Sequence, residues 1–569
     1  MMKKELKKNI DHLFADFDKP ETPGLALGVF HDGKMSYARG YGMANLEYDL
    51  PVTEKTVFHV ASMAKQFTAM SIALLEEQGL VSLDDDIHTY FPELPSYPWP
   101  ITLGHLVYMT NGLYDIYTLA NFSVGIREND CFTTDQAWEY VKACGWLMFK
   151  PGTEWSYGNT GYFLLAQLVE RVTGQSLSEF ADKNIFTPLK MNHTFFRDDC
   201  TRIIKNRAEC YSDYDHVHYN TRKKPWSTRG HQVLINADRM EIPGAGQLWT
   251  TVEDLFLWDQ NFYANKLGRG SMELIQKVTA PGKLADGSPA PYAYGLFVGK
   301  KDGYNYQCHG GFDNGWSSFM HRIPEKRCTV ACLANHTNSF WPLEVWSESY
   351  SLPEQVMEII LDDFKIITRP SSTRDKQDPA PAGDFTRVLG RYQDPSDSWL
   401  LHIEIREGRA VADLGYDRVL ELIPLNNDEY KSTDLQVTFT LQDGEDGPHL
   451  IMAEKDRRKE FLKFLPPLGE EKLSEYEGEY RCQAIQTSYK VSVQGDRLLM
   501  LNQNRRHNAL DFLWFPTIRD TFLAEYPPYC PYYCITFNRD EGGQVVSLVF
   551  RDDEGSGREN LVFQKNFTD

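Results

Sequence analysis

No run of 18 or more consecutive apolar residues interrupts the 569-residue sequence, which excludes a helix that spans a bilayer. Positive charge is also scarce: 59 Lys and Arg stand against 80 Asp and Glu, a formal net charge of −21. A chain so acidic repels phosphate backbones and anionic lipid surfaces, so neither nucleic acid nor membrane is expected as a partner. An apolar leader is missing too. Met1-Met2-Lys3-Lys4 runs straight into an amphipathic pattern of Leu6, Ile10, Leu13, Phe14 and Phe17, and no secretory signal is expected. The ten cysteines are scattered through the sequence without the tight pairs and flanking histidines of a zinc site. They read as reduced thiols of a cytoplasmic protein that holds no metal and needs no cofactor.

What is present argues for a folded, multidomain protein. Hydrophobic residues make up 42% and aromatic residues 13% of the chain, and its length provides for more than one core. Gly24 to Phe30 reads as a strand and Tyr37 to Gly42 as its hairpin partner. Ser62-Met63-Ala64-Lys65 stands at the start of a helix marked by Phe67, Met70, Ile72, Ala73, Leu74 and Leu75, with Gly79 as its stop. Residues i and i+3 share a helical face, so the Ser62 hydroxyl and the Lys65 amine can meet. Serine needs a neighbouring base to become a nucleophile, and a lysine removed from water becomes one.

Two further segments carry chemistry. Tyr157-Gly158-Asn159 follows the Pro151-Gly152 turn. If extended, it points both side chains toward one wall of a cleft, where Tyr157 can accept or relay a proton and Asn159 can hold Lys65 or a carbonyl. His309-Gly310-Gly311-Phe312 offers an imidazole beside two glycines that let another backbone come close. Each segment alone has an ordinary structural reading: a solvated helix, a buried tyrosine, a strand edge.

Together and in this order the three segments resemble the serine hydrolases of the class C β-lactamase and penicillin-binding-protein group, which carry S-x-x-K, Y-x-N and a third K-T-G, H-x-G or H-G-G element. Ile101-Thr102-Leu103-Gly104-His105-Leu106, Thr110-Asn111-Gly112-Leu113 and Gly244 to Asp254 agree with that pattern. The resemblance implies Ser62 as nucleophile, Lys65 and Tyr157 as the groups that share its proton, and His309 as an orienting residue. It implies Asn159, Gly310, Gly311 and Phe312 on the substrate side, with the backbone N–H groups of Ser62 and Phe312 as the oxyanion hole. Histidine in place of the third-motif lysine, with glycine in place of threonine, is similar to D-aminopeptidases, D-stereospecific peptidases and esterases and speaks against β-lactam hydrolysis. No G-x-S-x-G elbow surrounds Ser62, which argues against a Ser-His-Asp triad.

A proline-rich, polar stretch at 368–384 reads as a linker after a catalytic domain at 1–367. Beyond it the chain repeats itself: Gly390-Arg391-Tyr392 matches Gly478-Glu479-Tyr480, and Ile403-Glu404-Ile405 matches Val491-Ser492-Val493, both at an offset of 88. Short period-two strands in each copy suggest two small antiparallel barrels, at 385–467 and 468–569. The fold expected is therefore α+β, an antiparallel sheet flanked by helices with an all-helical subdomain, followed by two lipocalin-like antiparallel β-barrels. That layout is similar to D-aminopeptidases, in which a loop of the last barrel limits access to the cleft; here 502–511 or 526–533 would serve. The expected activity is a D-aminopeptidase-like exopeptidase or amidase on short peptides or amides. An esterase or acyltransferase on small esters or thioesters is the alternative, and a non-catalytic binding protein the remote one. A homodimer is the assembly this reading allows.

Overall fold

The computed structural model describes residues 3–124, 132–212, 233–234, 240–301, 303–313, 315–336 and 352–363. Beyond these it describes 385–394, 400–406, 409–413, 419–426, 428–432, 437–444, 447–454, 457–464, 470–483, 487–502, 512–518, 520–524, 533–552 and 559–566. The proline-rich stretch, most of the two barrel loops, Cys131 and Cys530 lie outside the described residues. The chain divides between residues 368 and 369 into two compact units.

The first unit is built from α1 (Lys4–Leu13), β1 (Leu25–His31), β2 (Lys34–Tyr41), α2 (Lys65–Glu77), α3 (Thr160–Thr173), α4 (Val252–Asn261), β3 (Phe297–Lys301), β4 (Tyr304–Asp313), β5 (Trp316–Ile323), β6 (Cys328–Ala334) and α5 (Leu352–Asp363), with shorter elements between. The six strands form one antiparallel sheet in the order β3-β4-β5-β6-β1-β2. Its central strands are apolar on both faces because helices cover both. Leu25, Leu27 and Val29 of β1 pack with Cys328, Val330 and Cys332 of β6 against Ile10 of α1 and Val356 and Ile360 of α5. The intervening residues Ala26, Phe30, Ala331 and Leu333 face the other way, into a core shared with Phe67, Met70 and Leu74 of α2 and Val252, Leu255 and Trp258 of α4. Every residue of α2 from Lys65 to Leu75 is buried, so this helix runs through the middle of the unit instead of lying on its surface.

The helical subdomain contains Leu103–Val107, Ile116–Val124, Thr134–Ala143 and α3. Its ends are chemically specified. Thr102 with His105, and Thr133 with Gln136, form capping boxes that satisfy otherwise orphaned N–H groups. Gly174, at φ +72°, closes α3 in the left-handed region. Helix α4 is bound to the sheet by a buried ion pair: Asp259 Oδ1 accepts from Arg322 Nε at 2.7 Å and from Thr329 Oγ1 at 2.7 Å.

The second unit holds two closed eight-stranded antiparallel barrels, from Gly390–Gln393 to Arg457–Lys463 and from Gly478–Cys482 to Glu559–Asn566. The sequence repeat is a structural repeat down to individual bonds. Gly390 pairs with Ile403 and Gly478 with Val491. Tyr392 Oη donates to Val388 O at 2.8 Å, and Tyr480 Oη to Tyr476 O at 2.7 Å. Lys463 closes the first barrel over Tyr392 and donates to Arg387 O; Lys565 does the same over Tyr480, donating to Glu475 O. Both glycines have positive φ, and a Cβ on either would run into the closing lysine. The interior of the first barrel is filled by Leu401, Tyr430, Phe439, Leu450, Phe461 and their neighbours, so it is a packed core. Gln393 of the first barrel, 1% exposed, accepts from Thr517 of the second at 2.6 Å and donates to Cys534 Sγ at 3.5 Å. Among the described residues, no helix is long and apolar enough to cross a membrane.

Candidate active site

The chain reaches Ser62 through a strained corner. Ala61 has φ +45°, a left-handed conformation costly for a residue with a Cβ, and a single 3-10 turn over Ala61–Ala64 then runs into α2. Neighbouring strands hold the corner in place. Val60 N donates to Leu248 O at 3.0 Å, and Ser318 Oγ of β5 donates to Val60 O at 2.8 Å. Gly311 of β4 lies directly against the turn. A Cβ there would fall 2.1 Å from Val60 O and 3.0 Å from Ser62 N, so only glycine lets the two backbones come this close.

Lys65, the first residue of α2, is fully buried. Its ammonium has three donors and finds three acceptors: Ser62 Oγ at 2.9 Å, Asn159 Oδ1 at 2.8 Å and Ala245 O at 2.8 Å. Burial pushes its pKa down to about 7, with a partial opposing pull from Asp115. Asn159 Oδ1 and the Ala245 carbonyl can only accept. A deprotonated Lys65 therefore keeps its two N–H groups on them and turns its lone pair to Ser62.

Tyr157 completes this group. Its ring centroid lies 4.9 Å from Lys65 Nζ, and the Ser62 side chain is near enough to ease ionisation of the phenol. Burial raises the phenol above its ordinary value, so the resting group is a protonated O–H. The extended conformation considered for 157–159 is not what forms. Residues 157 and 158 lie in a loop, and Asn159 sits at φ −90° and ψ −27° as the N-cap of α3. Asp115 dictates this, because its carboxylate accepts the Asn159 N–H at 2.5 Å and the Tyr117 N–H at 2.9 Å.

His309 is on β4 and 2% exposed. Burial, reinforced by the Lys65 charge, pushes its pKa down to about 3, so the ring is neutral. Nδ1 bonds the Gly310 carbonyl and Nε2 lies 2.7 Å from Tyr292 Oη. Strand β3 pairs with β4 only as far as Cys308↔Phe297, whereas β5 stays paired to Asp313↔Trp316. Gly310, Gly311 and Phe312 therefore lie beyond the end of the β3 register, on the stretch of β4 whose Gly311 abuts the nucleophile turn. Asp313 follows on the face that Gly311 occupies, since strand side chains alternate. Its side chain is 21% exposed, with Oδ2 3.7 Å from Nδ1 of the buried His59. Cys308, by contrast, is a buried strand residue whose thiol is pushed up by burial.

Ser62, Lys65 and Asn159 thus meet through hydrogen bonds, the Tyr157 ring packs against the Lys65 ammonium, and the 309–312 strand adjoins them. The sequence reading did not single out Tyr292, Asp115 or the Ala245 carbonyl. Asp115 stood two residues past the noted Thr110-Asn111-Gly112-Leu113, a proximity that offered a signal. Tyr292 offered none, since Pro291-Tyr292-Ala293-Tyr294 reads as an ordinary aromatic turn. Among the described residues, no group of three or more His, Cys, Asp or Glu is arranged to hold a metal.

The profile of the Beta-lactamase family matches residues 10–347. A D-aminopeptidase of Gluconobacter oxydans (strain 621H) is 27% identical over 325 residues, 56% of this chain and 56% of its own. The chain thus spans little more than half the length of that relative. Penicillin-binding protein 4* of Bacillus subtilis (strain 168) is 26% identical over 477 residues, 81% of this chain and 99% of its own. Among solved structures, the octameric penicillin-binding protein homologue from Pyrococcus abyssi superposes with a TM-score of 0.53 at 23% identity, covering 80% of this chain and 99% of that one.

Proposed function

The chain belongs to the β-lactamase family of serine hydrolases, and from that premise we propose that it is a D-aminopeptidase-like enzyme releasing an amino-terminal residue from short peptides or amino-acid amides. The observation that carries the chemistry is the cage around Lys65, where a buried amine with a pKa near 7 holds its lone pair toward Ser62. In the proposed cycle Lys65 takes the Ser62 proton as Oγ attacks the scissile carbonyl. The negative charge on the carbonyl oxygen is met by the backbone N–H groups of Ser62 and Phe312. Tyr157, held as a phenol, passes a proton to the departing amine. Water then releases the acyl group through the same groups in reverse. Neutral His309 orients the strand, Asn159 holds Lys65, and Gly310 and Gly311 admit the substrate backbone.

Recognition of a free α-amine has a chemical basis in Asp313, a partly exposed carboxylate two residues beyond Gly311 on the same strand face. A second reading, an esterase or acyltransferase, is favoured by the aromatic wall of Trp155, Tyr157 and Phe297, which suits an apolar acyl chain. A panel of D- and L-amino-acid anilides beside short-chain nitrophenyl esters separates them. D-selective anilide cleavage supports the first reading, and ester-only turnover replaces it with the second. The nucleophile has its own test. Ser62→Ala is expected to lose all labelling by a fluorophosphonate probe, and full labelling of that variant rejects Ser62. A cytoplasmic location and a homodimer are further proposals, the latter read directly by light scattering.

A further inference from the structure

The oxyanion strand has a mechanical problem. From His309 onward β4 has lost the β3 partner on one edge, and two consecutive glycines follow, the residues with the most backbone freedom. Yet an oxyanion donor acts only when it is aimed in advance at the position the oxygen will take. Strand β5 still pairs along the other edge, so on the β3 edge something other than strand pairing must hold this segment.

The side chains supply it. The Gly310 carbonyl can only accept, so the proton of the neutral His309 ring is on Nδ1. Nε2 is then a lone pair, and the Tyr292 hydroxyl 2.7 Å away donates to it. Tyr292 is itself immobilised. It is fully buried, its carbonyl accepts from Gly282 N at 3.0 Å, and its ring packs edge-on against Phe297 with centroids 4.9 Å apart. A continuous chain of bonds therefore runs from a rigid aromatic cluster to the backbone two residues before Phe312.

We propose that Tyr292 is a positioning residue: its hydroxyl fixes the tautomer and orientation of His309, which fixes the Gly310 carbonyl and keeps the Phe312 N–H aimed at the oxyanion. This rests on the serine-hydrolase reading above and adds to it a residue that never touches substrate. The relay takes the place of the strand pairing that ends at Cys308.

The test uses the full-length protein and Tyr292→Phe, which keeps the ring and deletes only the hydroxyl. Turnover is expected to fall roughly 10- to 100-fold with KM nearly unchanged, because a misaimed donor weakens the transition state and not the ground state. Affinity for phenylboronic acid, whose tetrahedral adduct on Ser62 sets an oxygen in the same hole, is expected to weaken by the same factor. Unchanged turnover and unchanged boronate affinity overturn the proposal. Nitrogen-15 NMR of the unaltered protein, with His309 assigned by its loss in His309→Gln, keeps the proposal falsifiable if Tyr292→Phe does not fold. A proton on Nδ1 supports the relay, and one on Nε2 overturns it. Failure of the functional reading looks different, since the unaltered protein would then take no fluorophosphonate label at Ser62.

Discussion

A lysine stripped of water destabilises the fold that contains it, and at Lys65 that penalty is coupled to the chemistry. Its pKa falls from an ordinary 10.5 to about 7 through burial. Activity should therefore rise with pH through about 7 as the amine loses its proton. His309, neutral down to about 3, and the raised Tyr157 phenol do not titrate in that window. Stability follows the same proton with its own sign. Below pH 7 the folded and unfolded chains both hold it, and the burial penalty is fully present. Between about 7 and 10.5 the unfolded chain holds a proton the folded chain has lost, so folding becomes more favourable as pH rises. The gain is at most about 1.4 kcal/mol per pH unit. Lys65→Met lacks this gain and should also lack activity. Denaturation midpoints of the two proteins, measured from pH 7 to 10, should diverge in favour of the parent. Parallel curves would mean that Lys65 is not held near neutrality. The Ser62–Lys65 pair was legible because its spacing is local, one helical turn. Tyr292 was not, because its link to His309 exists only once β3 stops pairing beside it.

Helices and strands set the tolerances around these residues. Gly311→Ala would drive a methyl group to 2.1 Å from Val60 O, so β4 and the nucleophile turn must separate. The expected result is a loss of turnover on the order of 10²-fold, as a misplaced catalytic backbone produces. A folded Gly311→Ala variant with parental kinetics would show that the close approach is dispensable. Asp259 makes a different demand. It and Arg322 are each only 2% exposed, and deleting one partner leaves the other charge buried and alone. Asp259→Ala should therefore cost about 3–5 kcal/mol, read from chemical denaturation. Adding Arg322→Leu should recover part of it, which an additive result would refute. The strands themselves were readable from sequence, since Leu25-Ala26-Leu27-Gly28-Val29-Phe30 is apolar throughout as a doubly covered strand must be. The backbone at Tyr157-Gly158-Asn159 was not. Local pattern allowed a strand there, and a carboxylate 44 residues earlier, Asp115, imposed a helix cap instead.

Across the whole molecule, duplication and sequestration are the dominant features. The barrels were legible because the 88-residue offset preserved not only the strand pattern but the glycine and tyrosine details at each seam. The boundaries we propose, 385–467 and 468–569, meet at the Leu465-Pro466-Pro467-Leu468-Gly469 divider between the copies. Closing each sheet on itself leaves no open edge to template aggregation. Cysteine chemistry shows the same sequestration. Eight described cysteines are free thiols, and all of these except Cys200 are buried. Burial pushes Cys328 up to about 12 and Cys332 well above the ordinary thiol, so neither forms the thiolate that reacts. A thiol reagent such as dithionitrobenzoate should titrate all ten cysteines in denaturant. In the native protein it should meet promptly no more than Cys200 and the two outside the described residues, Cys131 and Cys530. Reducing agent should leave the unfolding midpoint unchanged, because no disulfide joins the described thiols. Rapid native labelling of Cys308 would carry a consequence beyond the count. That thiol is next in sequence to His309, so its exposure would mean that β4 opens at the very stretch on which the proposed oxyanion donor depends.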